Sequence, residues 1–194
     1  MIRRIRARLA GEEGYSIVEL LTVVIILSIV TAALTTVFVS ASNGELDMNR
    51  RYQAQESARL AIDKLRREIH CASAVSPFGS ASSIVLTIPG ACPTAQGFTT
   101  IRWCVVAPPG AWAGRYALYR STAATCDTST GVKWADYLTT QSIFNYSHVL
   151  GSLGNLGVSL VVAVKQNSTQ GTFKLNDNIV LRNSSRSCVE GMSC

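Results

Sequence analysis

From Tyr15 to Val39 the chain runs for 25 residues with a single charged side chain, Glu19. That is longer than the roughly 7 to 15 apolar residues of a secretory signal and enough for the roughly 20 that cross a bilayer. The run therefore reads as a membrane anchor. Four arginines (Arg3, Arg4, Arg6, Arg8) precede it, with the acidic pair Glu12 and Glu13 beside it. By the positive-inside rule the N-terminus is expected in the cytoplasm and the C-terminal part outside. All six cysteines (Cys71, Cys92, Cys104, Cys126, Cys188, Cys194) follow the run, where an oxidising exterior permits disulfides.

Composition then limits the remainder. A chain of 194 residues leaves room for one modest domain after the span, and much of its 47% hydrophobic content lies in the span itself. The formal charge is +6; without the leader, 14 basic residues face 10 acidic ones with no dense basic patch. Charge alone gives a nucleic-acid role little support.

Glu19 is the anomaly. A carboxylate at the centre of a membrane helix costs about 2.5 to 3.5 kcal/mol on insertion scales, less near its end, and such residues usually mark a function or a partner. Glu19 sits one turn into the run, where hydration among the headgroups is the plain explanation. Its neighbours favour a second one. A basic leader, Gly14, the aromatic Tyr15, and then Ser16-Ile17-Val18-Glu19-Leu20-Leu21-Thr22-Val23-Val24 together resemble the class III signal of type IV pilins and the related type II secretion pseudopilins. The resemblance implies that a prepilin peptidase cuts after Gly14 and N-methylates Tyr15, where phenylalanine is the commoner residue. It also implies that Glu19 pairs with the N-terminal amine of a neighbouring subunit during filament assembly. An amine and a carboxylate that are each costly in lipid neutralise one another in adjacent chains, and their pairing sets axial register. A secretory signal cut near Ala32 or Ala33 and an uncleaved anchor are the alternatives.

Past the span, helix continues on paper. The first proline is Pro77, so nothing of that kind interrupts a helix before it. Met48, Tyr52, Gln55, Ala58, Ile62, Leu65, Ile69 and Ala72 recur at three- and four-residue steps, predicting the buried face of a spine. Ser40-Ala41-Ser42-Asn43-Gly44 predicts a weak point, because glycine costs about 1 kcal/mol relative to alanine in a helix. After Pro77 the pattern is that of strands: Ile84 to Ile88, Thr99 to Val106, Arg115 to Arg120, Gly157 to Lys165 and Asn178 to Leu181, with a mixed segment around Tyr137 to Phe144 and a polar turn at Gln166 to Gly171. The expected organisation is a leader (1–14), a transmembrane and assembly helix (15–39), an amphipathic spine helix (40–75) and an extracytoplasmic β-rich domain (76–194). The order is similar to that of J-type minor pseudopilins and minor pilins, and the resemblance implies an α+β pilin-like fold with an antiparallel sheet packed on the helix.

Sites for other chemistry are sparse. His70 and His148 have no zinc-ligand spacing, and the cysteines lack paired C-x-x-C knuckles. No phosphate loop, G-x-S-x-G elbow or H-E-x-x-H occurs. Disulfides are the expected use of cysteine, and the pairing taken is Cys188 with Cys194, Cys92 with Cys104, and Cys71 with Cys126. Asp127, Asp136 and Asp177 read as turn formers in loops. Asn145, Asn167 and Asn183 head N-glycosylation triplets of little specificity. Trp103, Trp112 and Trp134 are read mostly as core.

The functional expectation is a structural or priming filament subunit, not an enzyme, with no cofactor and no metal. Its implied partners are the prepilin peptidase, other pilins or minor pilins, an inner-membrane assembly platform and membrane lipid, with nucleic acid only in the case of a competence pilus. It is expected in the cytoplasmic membrane as a single-pass protein and in a filament or at the surface after assembly. The alternative from another class is an anchored adhesin or DNA receptor that never enters a filament.

Overall fold

In the computed structural model, residues 14–89, 92–93, 97–149, 151–164 and 172–184 are described. The expected leader up to Glu13, Cys188, Cys194 and the turn at 166–171 lie outside them. One long helix, α1 (Ile17–Cys71, 55 residues), precedes an antiparallel sheet, an α+β layout as expected. Helix is continuous through Ser40–Gly44. The helix belongs to two compact units, residues 1–46 and 47–194.

In the first unit the backbone has an immediate local explanation. Apart from Glu19, the residues from Ile17 to Val39 are aliphatic, small or hydroxylated, with one aromatic and no glycine or proline, so nothing interrupts the i to i−4 ladder. Every described residue of this unit is exposed. The helix is long and apolar enough to cross a membrane, consistent with single-pass anchoring. Its hydroxyls fold back on the helix: Thr22 Oγ1 donates to Glu19 O at 2.8 Å, Ser28 to Ile25 O at 2.7 Å and Thr35 to Thr31 O at 2.7 Å. Such back-bonding occupies the donor locally and leaves hydrocarbon on the outside.

In the second unit the last part of α1 covers the sheet. Its strands are β1 (Ala74–Ser76), β2 (Gly79–Ala81), β3 (Ser83–Thr87), β4 (Thr100–Val106), β5 (Tyr116–Ser121), β6 (Val132–Leu138), β7 (Phe144–Ser147), β8 (Asn155–Val162) and β9 (Phe173–Val180). They lie in the order β1-β3-β4-β5-β6-β8-β7-β2, with β9 on β8. Ala54, Ala58, Ala61, Ile62, Leu65 and Ile69 pack in one core with Ile84, Leu86, Ile101, Trp103, Leu118, Leu156 and Leu160. Three alanines at four- and three-residue steps put methyl groups on the first part of that helix face, and Ile62, Leu65 and Ile69 put longer side chains on the rest. Trp103 fills the space beside them and is fully buried.

The buried face of the helix is shorter at its N-terminal end than the periodicity predicts. Ala58, Ile62, Leu65, Ile69 and Ala72 are buried, but Met48 and Tyr52 are exposed, at 73% and 66%. The first buried position on α1 is Ala54; above it the residues keep the helical period without a sheet to bury against. The five predicted strands are all present, whereas β1, β2, β6 and β7 had no clear sequence signal. β1 and β2 are three residues long. β6 loses its alternation because its register with β5 shifts twice, between Tyr116 and Leu118 and between Leu118 and Tyr119. β9 begins five residues earlier than predicted, since Asn176-Asp177-Asn178 disfavours strand in isolation yet pairs with β8 throughout.

Candidate functional site

The residues singled out near the N-terminus occupy the start of α1. Gly14, Tyr15 and Ser16 precede the first helical residue, Ile17, in non-helical backbone. Tyr15 is 82% exposed, and Glu19 is the acidic residue of the first turn. A negative side chain there faces the unsatisfied N–H groups and positive end of the helix dipole, an arrangement that stabilises the helix start. The peptide bond after Gly14 thus lies in exposed, irregular chain immediately before a regular helix. A Cβ at Gly14 would meet nothing within 4 Å.

The principal polar site of the second unit was not legible in advance. Glu68 is completely buried on the α1 face that also carries Leu65 and Ile69. Its Oε2 accepts from Trp103 Nε1 at 2.8 Å, and its Oε1 accepts from Arg120 Nε at 2.8 Å and lies 3.3 Å from Lys64 Nζ. One carboxylate therefore joins the helix to β4 and β5. All its contacts are charge-assisted or directed, as a buried charge requires. On the other side of the helix, Arg66 donates to Asp177 Oδ2 at 2.8 and 3.2 Å. Nearby, His70 Nδ1 lies 3.1 Å from Val180 O, and Asn183 Nδ2 donates to Cys71 O at 3.0 Å. These contacts line β9 up along α1.

A second cluster surrounds the bulge in β5 and β6. Arg115 donates twice to Asp136, at 2.8 and 3.1 Å, and stacks on Tyr137 and Trp112, 4.2 and 5.0 Å from the ring centroids. Tyr137 has φ of 62°, a conformation that side-chain-bearing residues seldom adopt. Asp136 Oδ1 accepts the Tyr137 N–H at 2.7 Å and holds it there. Burial opposes ionisation of Asp136, but hydrogen bonds from Arg115, Lys133 and Tyr137 N–H outweigh it and hold the carboxyl below its ordinary range. The same hydrogen bond to Asp136 pushes Arg115 upward, against the effect of burial. The group is closed on itself, so its chemistry is that of a brace.

Two of the three aspartates expected in loops belong to strands: Asp136 to β6 and Asp177 to β9, each recruited by an arginine distant in sequence. Asp127 is the turn former expected. Its Oδ1 accepts from Ser129 Oγ and from the N–H groups of Ser129 and Thr130, and these bonds, the Ser129 hydroxyl foremost, lower its carboxyl to about 2.

The cysteine pairing is corrected for two expected bonds. The structure joins Cys71 to Cys92 and Cys104 to Cys126, not Cys92 to Cys104 or Cys71 to Cys126. The reason is register. β1 and β3 are antiparallel with Ala74 opposite Thr87, and Ser73 N–H donates to Thr87 O, so the chain after β3 returns to the end of α1 where Cys71 sits. Cys104 lies opposite Tyr119 in β4 and β5, and the loop after β5 brings Cys126 Sγ within 3.8 Å of Tyr119 O. The expected Cys188–Cys194 bond lies outside the described residues.

His148 is buried, with Nε2 3.1 Å from Ser152 O and Nδ1 3.5 Å from the Tyr146 hydroxyl, and burial raises the Tyr146 phenol. Among the described residues no three metal-ligating side chains gather. Trp112 and Trp134 are half-buried, unlike Trp103. No family model, no curated protein and no solved structure matches the chain.

Proposed function

We propose that the chain is a pilin-like filament subunit, structural or priming in role, of a type IV pilus or type II secretion filament. The observation that carries the reading is Gly14-Tyr15-Ser16-Ile17-Val18-Glu19 at the threshold of an apolar, exposed helix. A long N-terminal apolar helix with an antiparallel sheet on its later part is compatible with that architecture. On this reading a prepilin peptidase cuts the exposed Gly14–Tyr15 bond and methylates the new amine, and Glu19 accepts the amine of a neighbouring copy or companion pilin. The first unit then moves from lipid to a filament core without change of solvent character, because its surface is hydrocarbon in both. The assembly platform and companion subunits are its partners, and no catalytic role is assigned.

Mass spectrometry of the N-terminus of the processed protein tests the cleavage step. A methylated Tyr15 is expected; a chain beginning at Met1 or at Ala33 overturns it. Glu19→Ala tests the assembly step: it should lower recovery of the protein in sheared filaments or in crosslinked ladders with companion subunits while leaving membrane insertion intact. Unchanged recovery of the variant would overturn the role given to Glu19, and absence of the unsubstituted protein from such filaments would return the chain to the reading of an anchored surface protein.

A further inference from the structure

A shallow groove opens on the sheet face turned away from α1, across β2, β7, β8 and β9. One rung crosses all four strands there: Ser80 opposite Asn145, Asn145 opposite Gly157, and Gly157 opposite Asn178. On the next rung Ser159 Oγ donates to Asn176 Oδ1 at 2.9 Å. The groove has a volume of about 340 Å³, at the small end of the range for ligand sites.

Gly157 makes the groove floor. It lies within strands of unbroken register on both sides, with no positive φ, so neither a bulge nor a turn requires it. Interior strand glycine weakens a sheet and commonly marks close approach by a ligand or another backbone. A Cβ here would rise between Asn178 Oδ1, at 3.3 Å, and Asn145 O, at 3.5 Å. Its absence keeps the space between two amide side chains open.

The lining selects among ligands. Its side chains on this face are hydroxyls and amides, which offer donors and acceptors together. The one carboxylate along these strands, Asp177, is engaged by Arg66 on the opposite face; the exposed Lys174, opposite Val161, shares the groove's face one rung past Asn176 and is not part of the lining. A charged ligand finds no counter-charge among the side chains that line the groove on this face. Phe144 and Val158 are turned into the core, at 1% and 2% exposure, so an apolar ligand finds little to bury against and a nucleobase finds no ring to stack on. β7 and β8 are paired on both sides, which leaves no edge at the floor for an added peptide strand. What remains is a neutral ligand carrying many hydroxyls.

We infer that this groove is a subsite for neutral oligosaccharide, read through Asn145, Asn178 and their hydroxyl neighbours over Gly157. The inference is independent of the filament reading. A few uncharged hydrogen bonds without aromatic stacking place the affinity for a short sugar at about millimolar.

The test uses the full chain in a phosphocholine detergent, because a sugar detergent would compete. Side-chain amide resonances of Asn145, Asn176 and Asn178 are followed during titration with maltotriose, chitotriose and mannotriose to about 20 mM, well above the expected dissociation constant. At least one neutral trisaccharide should shift Asn145 and Asn178 in a saturable manner, and a sulfated trisaccharide should bind no more tightly. Gly157→Val, which fills the floor with a residue that strands accept, should weaken binding at least tenfold. Asn178→Ala, at an exposed position, should do the same with the melting temperature unchanged. Absence of shifts with all three sugars, shifts that map elsewhere, preference for the sulfated sugar, or binding that survives both substitutions overturns the inference.

Discussion

In Ile17–Leu46 the hydroxyls that hydrogen bond do so to carbonyls three or four residues earlier, whereas after Asp47 polar side chains reach across the chain, Arg66 to Asp177 being separated by 111 residues. The first unit turns these hydroxyls back on its own helix and its described residues bury nothing. The second satisfies them between elements and buries a core. A segment of the first kind is complete as local structure but has no interior of its own, so lipid or other chains must cover it. A segment of the second kind carries its stability in contacts that exist only when helix and sheet are assembled.

Substitutions can break this contrast from either side. The largest effect is expected at Glu68. Glu68→Ala leaves the buried Trp103 indole and the partly buried Arg120 guanidinium without their acceptor, and should destabilise the second unit by about 3 to 5 kcal/mol, read by chemical denaturation; membrane association through the first unit should not change. Leu27→Arg, near the middle of the apolar run, should disfavour insertion by about 3 kcal/mol and leave the melting of the second unit untouched. Membrane fractionation together with thermal denaturation reads both halves of that statement. Removing the Cys104–Cys126 bond by a double serine exchange, which opens a loop with separation 22, should cost about 3 kcal/mol, and non-reducing peptide mapping should recover Cys71 with Cys92.

A smaller effect concerns acid. The Asp136 carboxyl is held below its ordinary value of 3.8 in the folded state. Its contribution is therefore fully present above that value and is lost as pH falls through the lower folded value. Asp136→Asn should flatten the acid limb of the stability profile measured between about pH 5 and pH 2. The smallest change is expected for Arg66→Ala, whose partner Asp177 is partly solvent-exposed; about 1 kcal/mol or less should be lost. An effect of several kcal/mol there would show that β9 depends on the helix more than its contacts indicate.

Much of the local structure could be read in advance because it depends on near neighbours. The apolar run, the buried positions Ala58, Ile62, Leu65 and Ile69, and the strands that became β3, β4, β5 and β8 all follow from periodicity. Met48 and Tyr52 show where that reasoning ends: period specifies a face, while only the extent of the sheet decides how much of the face is covered. Glu68 shows the same from the other side. As one charged residue among the many of the spine it resembles its solvated neighbours, and its role depends on Trp103 and Arg120 lying above it. Asp136, Asp177 and the strands around them were obscured because a bulge breaks alternation in β6 and because Asn176-Asp177-Asn178 carries poor strand propensity, overcome by full pairing with β8.

By itself the sequence determined an apolar helical segment with one carboxylate in its first turn, a helical spine beyond it and a strand-rich remainder, since each depends on residues a few positions apart. Tertiary structure alone decided which cysteines meet, which carboxylate is buried, and that Ser80, Asn145, Gly157 and Asn178 form one row. Those outcomes depend on strand register, and register is settled by contacts between residues far apart in the chain.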